Sequence, residues 1–400
     1  MSDALECTIV GGGLGGLSAA LALGQNGHKV TLLERAPKIE PIGYGIQIGP
    51  NVMPVFRRLG IEPAIRAKAH VPTGLRMMDA HTGGELVNIP LCDVEGARPD
   101  DPYICIHRSD LHQALLDACA QMENIELRKG VTVTGYATNG PRAVARTETQ
   151  GDIESDLLIG ADGIHSRLRG QMHPGSTLHP MNYVAHRTIL PYDQVPPALM
   201  RDEVHMWTGD GWHVIHYPLG EHIGMNFVNV IAIEPGSTPT PDELKARLLK
   251  LCDGGSAEAR AVLDLMDFSQ NWPLADLTPV RHWSDGPTLL VGDAAHGTMQ
   301  SLAQGAGMAI EDSIVLADCL SDAKNDVLAA FAAFERQRFL RTARVQLESR
   351  ALWTWYHVGG TEADVRDAQN REKSTADYYK CLSWLWTPID NTNRTALERA

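Results

Sequence analysis

The sequence predicts an α/β fold in which a strand–turn–helix–strand unit is followed by a larger, mixed arrangement of strands. Three observations support this prediction. The apolar run 5–10 leads into closely spaced glycines and an apolar helical segment over 14–25. Later apolar runs end in glycine and an acidic residue, which is typical of buried parallel strands at a ligand. Residues 179–272 contain strand patterns separated by turns, which are typical of antiparallel pairs.

The composition of the 400-residue chain is that of a globular protein of one to three domains, with 44% apolar and 21% charged residues. No run of 18 or more apolar residues occurs, so we expect no membrane span. The start lacks the features of a secretion signal, and seven scattered cysteines without a C-x-x-C motif predict reduced thiols, so we expect a cytoplasmic protein. The net charge of −14 argues against nucleic acid as a partner.

The first unit has the residues of a nucleotide-binding turn. Gly11, Gly13 and Gly16 follow the first strand in the spacing G-x-G-x-x-G. The first glycine allows a tight turn, the second lets a pyrophosphate approach the backbone, and the third lets the helix pack closely on the strand. Glu34 ends the second strand, where a carboxylate can accept from a ribose hydroxyl, and the predicted cofactor site includes Arg35 beside it. This unit alone is compatible with FAD or with NAD.

Three later segments predict further contacts to one extended ligand. Arg108 and Ser109 begin a helix with an apolar stripe, and Ser109 is its predicted N-cap. Taken alone, Arg108 would be a solvated charge. Asp162 and Asp293 each follow an apolar strand and lie beside a glycine. Because ligands bind at the carboxyl ends of strands in open α/β sheets, these residues are expected at a common site.

The motifs resemble the fingerprints of a known enzyme family. "GGGLGG", "GADGIHSRLR" and "LLVGDAAH…QGAGMAIEDS" are similar in order and spacing to those of the single-component FAD-dependent aromatic hydroxylases, the para-hydroxybenzoate hydroxylase-like family. The resemblance implies a Rossmann-like, GR2-type FAD-binding domain, a mixed β-sheet substrate domain and a C-terminal helical region. The implied FAD-binding segments are 1–73, 92–178 and 273–345, the substrate segments are 74–91 and 179–272, and the helical region is 346–400.

The resemblance also implies which residues hold the cofactor. Arg108 would lie along the flavin and pyrophosphate, Asp162 would serve both FAD and NAD(P)H, and Asp293 would bond the ribityl or pyrophosphate region. The ADP half of FAD would be held by Gly11, Gly13, Gly16 and Glu34. N–H groups at a helix start, which favour the anionic reduced flavin, would face the flavin ring from Gly305, Ala306 and Gly307.

Two histidines lie in a predicted hairpin formed by residues 211–219 and 224–233. Side chains alternate along a strand, so His213 shares one face with Tyr217 and His216 points to the other. By spacing alone, an ordinary buried histidine is the better interpretation of either. The segment resembles that of the 3-hydroxybenzoate 6-hydroxylases within the family. That resemblance implies that His213 deprotonates the phenol, for which a near-neutral pKa is expected, and that Tyr217 lines the site.

Two glutamines and one glycine extend this comparison. Gln300 and Gln47 match substrate-contacting glutamines of the same group, and Gln47 is counted with the predicted cofactor-binding residues. The family usually has proline where this chain has Gly297, so a looser loop is expected beside the substrate. No metal-binding cluster is predicted, because the sequence lacks H-E-x-x-H and Cys/His ligand spacings.

The implied activity is hydroxylation of a phenolic aromatic acid by NAD(P)H and O2 through a flavin hydroperoxide. The best prediction is conversion of 3-hydroxybenzoate to 2,5-dihydroxybenzoate (gentisate), with either NADH or NADPH. Alternatives are a 6-hydroxynicotinate 3-monooxygenase or a salicylate hydroxylase-like activity. An NAD-only Rossmann dehydrogenase is the alternative of another class, but it leaves Asp162 and Asp293 unexplained. The aromatic-rich C-terminal segment is compatible with internal packing or a dimer contact, and the resemblance favours a homodimer.

Overall fold

The computed structural model describes residues 4–38 and 43–389, so residues 390–400 of the predicted helical region lie outside it. Within these ranges the chain forms eighteen strands and twelve α-helices. The strands are β1 Glu6–Val10, β2 Lys29–Glu34, β3 Gly45–Ile48, β4 Gly74–Asp79, β5 Glu85–Pro90, β6 Ile104–His107, β7 Ile125–Lys129, β8 Val133–Asn139, β9 Arg142–Thr147, β10 Ile153–Ser155, β11 Leu157–Gly160, β12 His179–Leu190, β13 Val204–Gly209, β14 Trp212–Pro218, β15 Met225–Ala232, β16 Trp272–Asp276, β17 Ser284–Asp285 and β18 Thr288–Leu290. The helices are α1 Leu14–Gln25, α2 Met53–Arg58, α3 Glu62–Arg66, α4 Arg108–Ala120, α5 Arg167–Met172, α6 Pro241–Leu251, α7 Ala257–Asp264, α8 Asp293–His296, α9 Gly305–Asp322, α10 Val327–Tyr356, α11 Gly360–Arg371 and α12 Thr375–Trp386.

A six-stranded sheet forms the first layer, in the order β17-β18-β11-β1-β2-β7. All its pairs are parallel except β17 with β18. Helix α1 packs between α9 and α4, and Leu17, Leu21 and Leu23 on it are fully buried. Each such side chain contributes about 1.5–3 kcal/mol of hydrophobic free energy. This parallel sheet brings the carboxyl ends of β1, β11 and β18 to one edge, as the sequence predicted.

A seven-stranded mixed sheet forms the second layer, in the order β16-β12-β15-β14-β13-β4-β5. The predicted hairpin is confirmed, since β14 pairs antiparallel with β15. Strand β16 straddles the predicted boundary between residues 272 and 273. Two smaller sheets complete the fold, one of β10-β9-β8 and one of β3-β6. The α/β fold class is therefore confirmed, whereas the proposed domain limits stay a prediction.

The two faces of the seven-stranded sheet have different partners. The face that carries His213, Ile215 and Tyr217, here called the front face, packs against Met299 and against Trp353 of α10. The opposite back face is covered by α6 and α7. The side chains of His213 and His216 are therefore separated by the sheet, as the period-two argument predicted.

The C-terminal helices pack on the rest of the chain through their aromatic residues. Trp353 and Trp386 are buried, and Trp386 contacts the rings of Tyr103 and Tyr379. The predicted N-cap of α4 is wrong. His107 occupies the cap position, and the Ser109 hydroxyl hydrogen bonds to the His107 ring instead of capping the helix.

Candidate active site

The three glycines of the first turn lie in three different environments. Gly11 has φ +109°, and a Cβ there would come within 2.3 Å of the Ala161 carbonyl oxygen. A Cβ on Gly16 would lie 1.9 Å from the Gly11 carbonyl oxygen. A Cβ on Gly13 would meet nothing within 4 Å. The turn therefore needs glycine at 11 and 16 for its own packing, and at 13 it leaves space beside the backbone.

Glu34 ties this turn to the end of β2. Its Oε2 accepts from the Gly12 N–H at 2.7 Å, and its Oε1 accepts from the Ala36 N–H at 2.8 Å. His112 of α4 donates to the Gly12 carbonyl oxygen at 2.7 Å, a contact that no sequence motif indicated. Arg35 follows Glu34 with an exposed side chain. The Glu34 carboxylate is thus fixed at the place where a ribose hydroxyl is expected.

Asp162 lies beside the glycine turn, at the end of β11. Its Oδ2 accepts from the Arg167 N–H at 2.8 Å, but its Oδ1 is buried without a hydrogen-bond partner. A buried acceptor without a partner is costly unless a ligand supplies a donor. Arg169 connects this motif to α8 by donating to Ile164 O at 2.5 Å and to Ala294 O at 3.1 Å.

The segments after β18 complete this side of the site. Asp293 begins α8 with an exposed side chain. Helix α9 begins at Gly305, and the side chain of its N-cap residue Gln304 makes no capping hydrogen bond. Gly305 and Ala306 are partly exposed, whereas Gly307 is buried. The first N–H groups of this 18-residue helix therefore remain available to a negatively charged ligand.

Arg108 lies at the start of α4, next to the short sheet of β3 and β6. Its backbone N–H donates to Tyr44 O at 3.0 Å. A Cβ on Gly43 would lie 2.9 Å from the Arg108 Cβ, so glycine is required at 43 for this close approach. The contact holds the β3 segment against the helix whose first residue is Arg108.

The front face of the seven-stranded sheet carries a row of three side chains. Arg187 of β12 pairs with Val228 of β15, and Val228 pairs with Ile215 of β14. Paired residues point to the same face, so Arg187 and Ile215 are about 10 Å apart, two strand spacings. His213 and Tyr217 lie on either side of Ile215 along β14. The row combines one cation with two aliphatic side chains.

Arg187 is a functional candidate that the sequence analysis missed. Its Nη2 donates to Gln300 Oε1 at 2.9 Å, and its guanidinium lies 5.9 Å from the centroid of the Tyr44 ring. Within the described part of the chain, no carboxylate forms an ion pair with it, and burial lowers its pKa. Such a half-buried cation is expected to bind an anion, because a charge that is partly removed from water is costly without a counter-charge. A strand arginine carries no motif, so only the fold could identify it.

Gln47 and Tyr217 lie together near β3. The Tyr217 hydroxyl donates to Gly45 O at 2.7 Å, and the Tyr103 hydroxyl donates to Gln47 Oε1 at 2.6 Å. Burial raises the pKa of Tyr217 above its usual range, so the phenol stays protonated. The structure therefore places Gln47 beside two neutral tyrosines.

His213 is buried on the front face, against the end of α10. Its Nδ1 lies 2.8 Å from Nε2 of His357, with the ring centroids 5.0 Å apart and the ring planes inclined by 23°. Burial lowers the pKa of His213 well below its ordinary value, and His357 lowers it further. The near-neutral pKa expected from the sequence is therefore wrong for the protein without substrate. His213 is a neutral imidazole, able to accept a proton.

Comparison with known proteins identifies the family. The sequence profile of a family described as "FAD binding domain" matches residues 4–342. A 3-hydroxybenzoate 6-hydroxylase from Polaromonas naphthalenivorans (strain CJ2) is 33% identical over 384 residues, which cover 96% of this chain and 96% of that protein. This chain belongs to the FAD-dependent aromatic hydroxylases.

Two further comparisons place this hydroxylase among its relatives. A 6-hydroxynicotinate 3-monooxygenase from Pseudomonas fluorescens is 31% identical over 352 residues, which cover 86% of this hydroxylase and 90% of that enzyme. Klebsiella pneumoniae HpxO, whose structure contains FAD and uric acid, superposes with a TM-score of 0.85 at 23% identity. That superposition covers 98% of this hydroxylase and 99% of HpxO, and it confirms the predicted fold.

FAD fits the residues that this hydroxylase provides. The space beside Gly13 suits a pyrophosphate, and the unpartnered Asp162 Oδ1 suits a hydroxyl donor. The free N–H groups at the start of α9 suit a reduced, anionic ring. FAD is therefore the cofactor of this hydroxylase, while the assignment of individual contacts stays a prediction.

A buried ionic network supports the start of α9 in this hydroxylase. Arg338 of α10 donates to Asp312 Oδ1 at 2.6 Å and to Glu311 Oε2 at 2.8 Å. The second Asp312 oxygen contacts His296 Nε2 at 2.7 Å and accepts from the Gly292 N–H at 2.8 Å. Glu311 Oε1 also accepts from Asn51 Nδ2 at 2.7 Å. The network joins the α8 turn to α9 and α10, and no sequence spacing predicted it.

Gly297 keeps its backbone in a conformation that proline would also adopt. Its φ is −49°, close to the value fixed by a proline ring. Its carbonyl oxygen accepts from the Leu277 N–H at 3.0 Å and from Gln346 Nε2 at 3.1 Å. These bonds hold the loop that the sequence analysis expected to be loose.

Two features are absent from residues 4–38 and 43–389. No helix there is long and apolar enough to cross a membrane. No group of three or more His, Cys, Asp or Glu side chains there has the arrangement of a metal site.

Proposed function

We propose that this hydroxylase converts 3-hydroxybenzoate to 2,5-dihydroxybenzoate, with FAD as cofactor and NADH or NADPH as reductant. The observation that carries the proposal is the half-buried Arg187 guanidinium, which hydrogen bonds to Gln300 and has no carboxylate partner among the described residues. A guanidinium in this position suits the carboxylate of an aromatic acid. The aliphatic side chains of Ile215 and Val228 beside it suit the aromatic ring.

His213 supplies the acid–base chemistry in this proposal. Its neutral imidazole would accept the phenol proton, which raises the electron density of the ring before oxygen transfer. The phenolate formed next to it would raise the pKa of the imidazole, because an opposite charge stabilises the protonated form. Bound FAD supplies electrons from NAD(P)H and the activation of O2.

Gln300 has the position of an orienting residue. Its Oε1 is engaged by Arg187, so its Nε2 is the group that can donate to the substrate hydroxyl or carboxylate. Arg187 and Gln300 would thus hold one end of the ring while His213 acts at the phenol. The N–H groups at Gly305, Ala306 and Gly307 would stabilise negative charge on the reduced flavin.

A second candidate substrate is 6-hydroxynicotinate, since the Pseudomonas fluorescens relative named for that substrate is 31% identical. The carboxylate of 6-hydroxynicotinate would bind Arg187 in the same way, but a ring nitrogen would replace a ring carbon.

The test is a screen of hydroxybenzoates and hydroxypyridine carboxylates for stimulated NADH or NADPH oxidation, with identification of the product. The proposal expects gentisate from 3-hydroxybenzoate as the main product. Faster, coupled turnover of 6-hydroxynicotinate would favour the second candidate.

We also propose that the enzyme acts in the cytoplasm as a homodimer. None of its seven cysteines forms a disulfide, and five of them are buried, which supports a reducing compartment. Leu340 and Leu347 are exposed seven residues apart on α10, so they lie on one side of the helix and support a contact surface there. Sedimentation of the FAD-bound protein would test the dimer, and a monomer at micromolar concentration would contradict it.

A further inference from the structure

His357 is held in place by backbone contacts between the end of α10 and the β13–β14 hairpin. The Gly211 N–H donates to His357 O at 3.1 Å, and the Thr208 hydroxyl donates to Tyr356 O. Thr208 is also the residue that pairs with His213 across the hairpin. The same hairpin that carries His213 therefore fixes the position of the His357 ring.

The hydrogen bonds around the two rings determine where their protons lie. His357 Nδ1 is 2.7 Å from the Trp353 carbonyl oxygen, which can only accept, so Nδ1 carries the proton. Burial lowers the pKa of His357 to about 4, so the ring is neutral near pH 7 and its Nε2 is an acceptor. His213 Nδ1 lies 2.8 Å from that acceptor and must donate to it. A neutral His213 then has its lone pair on Nε2.

The surroundings of His213 Nε2 agree with this assignment. It makes no hydrogen bond to a described residue. It is also not fully enclosed, in contrast to both ring nitrogens of His216, which are fully buried. His213 Nε2 is therefore the ring atom that can be reached by a substrate proton.

We propose that His357 is a positioning residue for the base: it fixes His213 as the Nδ1–H tautomer and so leaves Nε2 as the proton acceptor. The proposal rests on the proposed function, in which His213 takes the phenol proton. Without the acceptor at His357, neutral His213 could carry its proton on either ring nitrogen. The Nε2–H form has no lone pair at Nε2, so it cannot accept the phenol proton there. His357 would also stabilise the imidazolium, because a charged donor forms a stronger hydrogen bond than a neutral one.

Nitrogen NMR of the full-length, FAD-bound protein with ¹⁵N-labelled histidine tests the tautomer without any substrate. The His213 signals are identified by their loss in His213→Gln. The expected result is protonation at Nδ1 and a bare Nε2 in the parent protein. A His213 ring protonated at Nε2 in the parent would overturn the proposal, whatever the activity of the enzyme.

Two substitutions at position 357 extend the test. His357→Gln keeps an acceptor close to the place of Nε2, so both the tautomer and kcat should be retained within a few-fold. His357→Leu removes the acceptor, and kcat should fall about 10²-fold, the lower end of the cost of a lost general base, with little change in KM. The His213 spectrum should then show protonation at Nε2. Unchanged kcat and an unchanged His213 spectrum in His357→Leu would overturn the proposal.

The positioning role of His357 and the proposed function can be contradicted independently of each other. A bare His213 Nε2 in a protein that hydroxylates no aromatic acid would support the positioning role of His357 and contradict the proposed function. Gentisate formation by a parent enzyme whose His213 is protonated at Nε2 would support the proposed function and contradict the positioning role of His357.

Discussion

Arg187 and Gln300 form a 2.9 Å hydrogen bond although 113 residues separate them in the chain. One comes from β12 of the seven-stranded sheet, and the other comes from the turn that precedes α9. Their contact joins the seven-stranded sheet to the segment that leads into α9. In the proposed function, the pair would form one wall of the space in which the aromatic acid lies.

Replacing Arg187 by glutamine should weaken binding of aromatic acids. The neutral amide keeps some polarity but loses the charge, and a hydrogen bond to a charged group contributes about 1.5–3 kcal/mol, so KM should rise about 10- to 100-fold. Steady-state kinetics with 3-hydroxybenzoate measures the change. Arg344→Gln, which removes an exposed arginine paired with Glu348, is the matched control and should leave KM unaltered. An unchanged KM in Arg187→Gln would remove Arg187 from carboxylate binding.

Replacing His213 by alanine should leave a yellow, FAD-bound protein that hydroxylates about 10²–10⁴-fold more slowly, as expected for a lost general base. Product formation, rather than NADH oxidation, is the quantity to measure, because uncoupled oxidation would conceal the loss. His216→Leu is the control, since His216 lies on the back face, against Phe227 and on the other side of the sheet from His213. Normal hydroxylation by His213→Ala would exclude His213 as the base.

Arg338→Leu should destabilise the fold. The change leaves Glu311 and Asp312 buried with fewer counter-charges, and breaking a buried ion pair costs about 3–5 kcal/mol. Urea unfolding of the FAD-bound protein, followed by circular dichroism, measures the loss. Arg336→Leu removes an exposed arginine from the same helix and should change the free energy of unfolding much less. Equal effects of the two substitutions would show that the network adds little stability.

Stability should fall as the pH decreases below about 6.5, the ordinary histidine pKa. Burial lowers the pKa of His216 to about 3 and that of His357 to about 4, so the unfolded chain binds protons that the folded chain cannot. The free energy of unfolding keeps its full value above pH 6.5. It decreases as the pH falls towards the pKa values of the folded protein, by about 2 kcal/mol per histidine at pH 5. His216→Leu should reduce this loss by about that amount, whereas His81→Gln at an exposed position should not. Parallel pH curves for both variants would contradict the assignment.

The local parts of the fold followed from sequence because short-range chemistry determines them. Helix α1 spans the predicted residues 14–25, and the hairpin places His213 and His216 on opposite faces as period two requires. Glycine spacing predicted three different roles, and the contacts at Gly11 and Gly16 agree with two of them, whereas the pyrophosphate contact at Gly13 stays a prediction.

The parts that depend on distant packing could not be predicted. Asn51 contacts Glu311 across 260 residues, and His357 contacts His213 across 144 residues. Neither pair has a fixed spacing that a sequence pattern could reveal. Arg187 likewise resembles any strand arginine until the fold shows that no carboxylate of residues 4–38 or 43–389 pairs with it. The prediction that Ser109 caps α4 was wrong because the Ser109 hydroxyl hydrogen bonds to the ring of His107 instead.

The most direct test is product analysis of the FAD-bound enzyme with 3-hydroxybenzoate, NADH or NADPH, and ¹⁸O2. The predicted result is 2,5-dihydroxybenzoate that carries one ¹⁸O atom in its new hydroxyl group, formed in proportion to the reductant consumed. Absence of labelled dihydroxybenzoate, with FAD bound and the reductant either unused or converted only to peroxide, would contradict the proposed function.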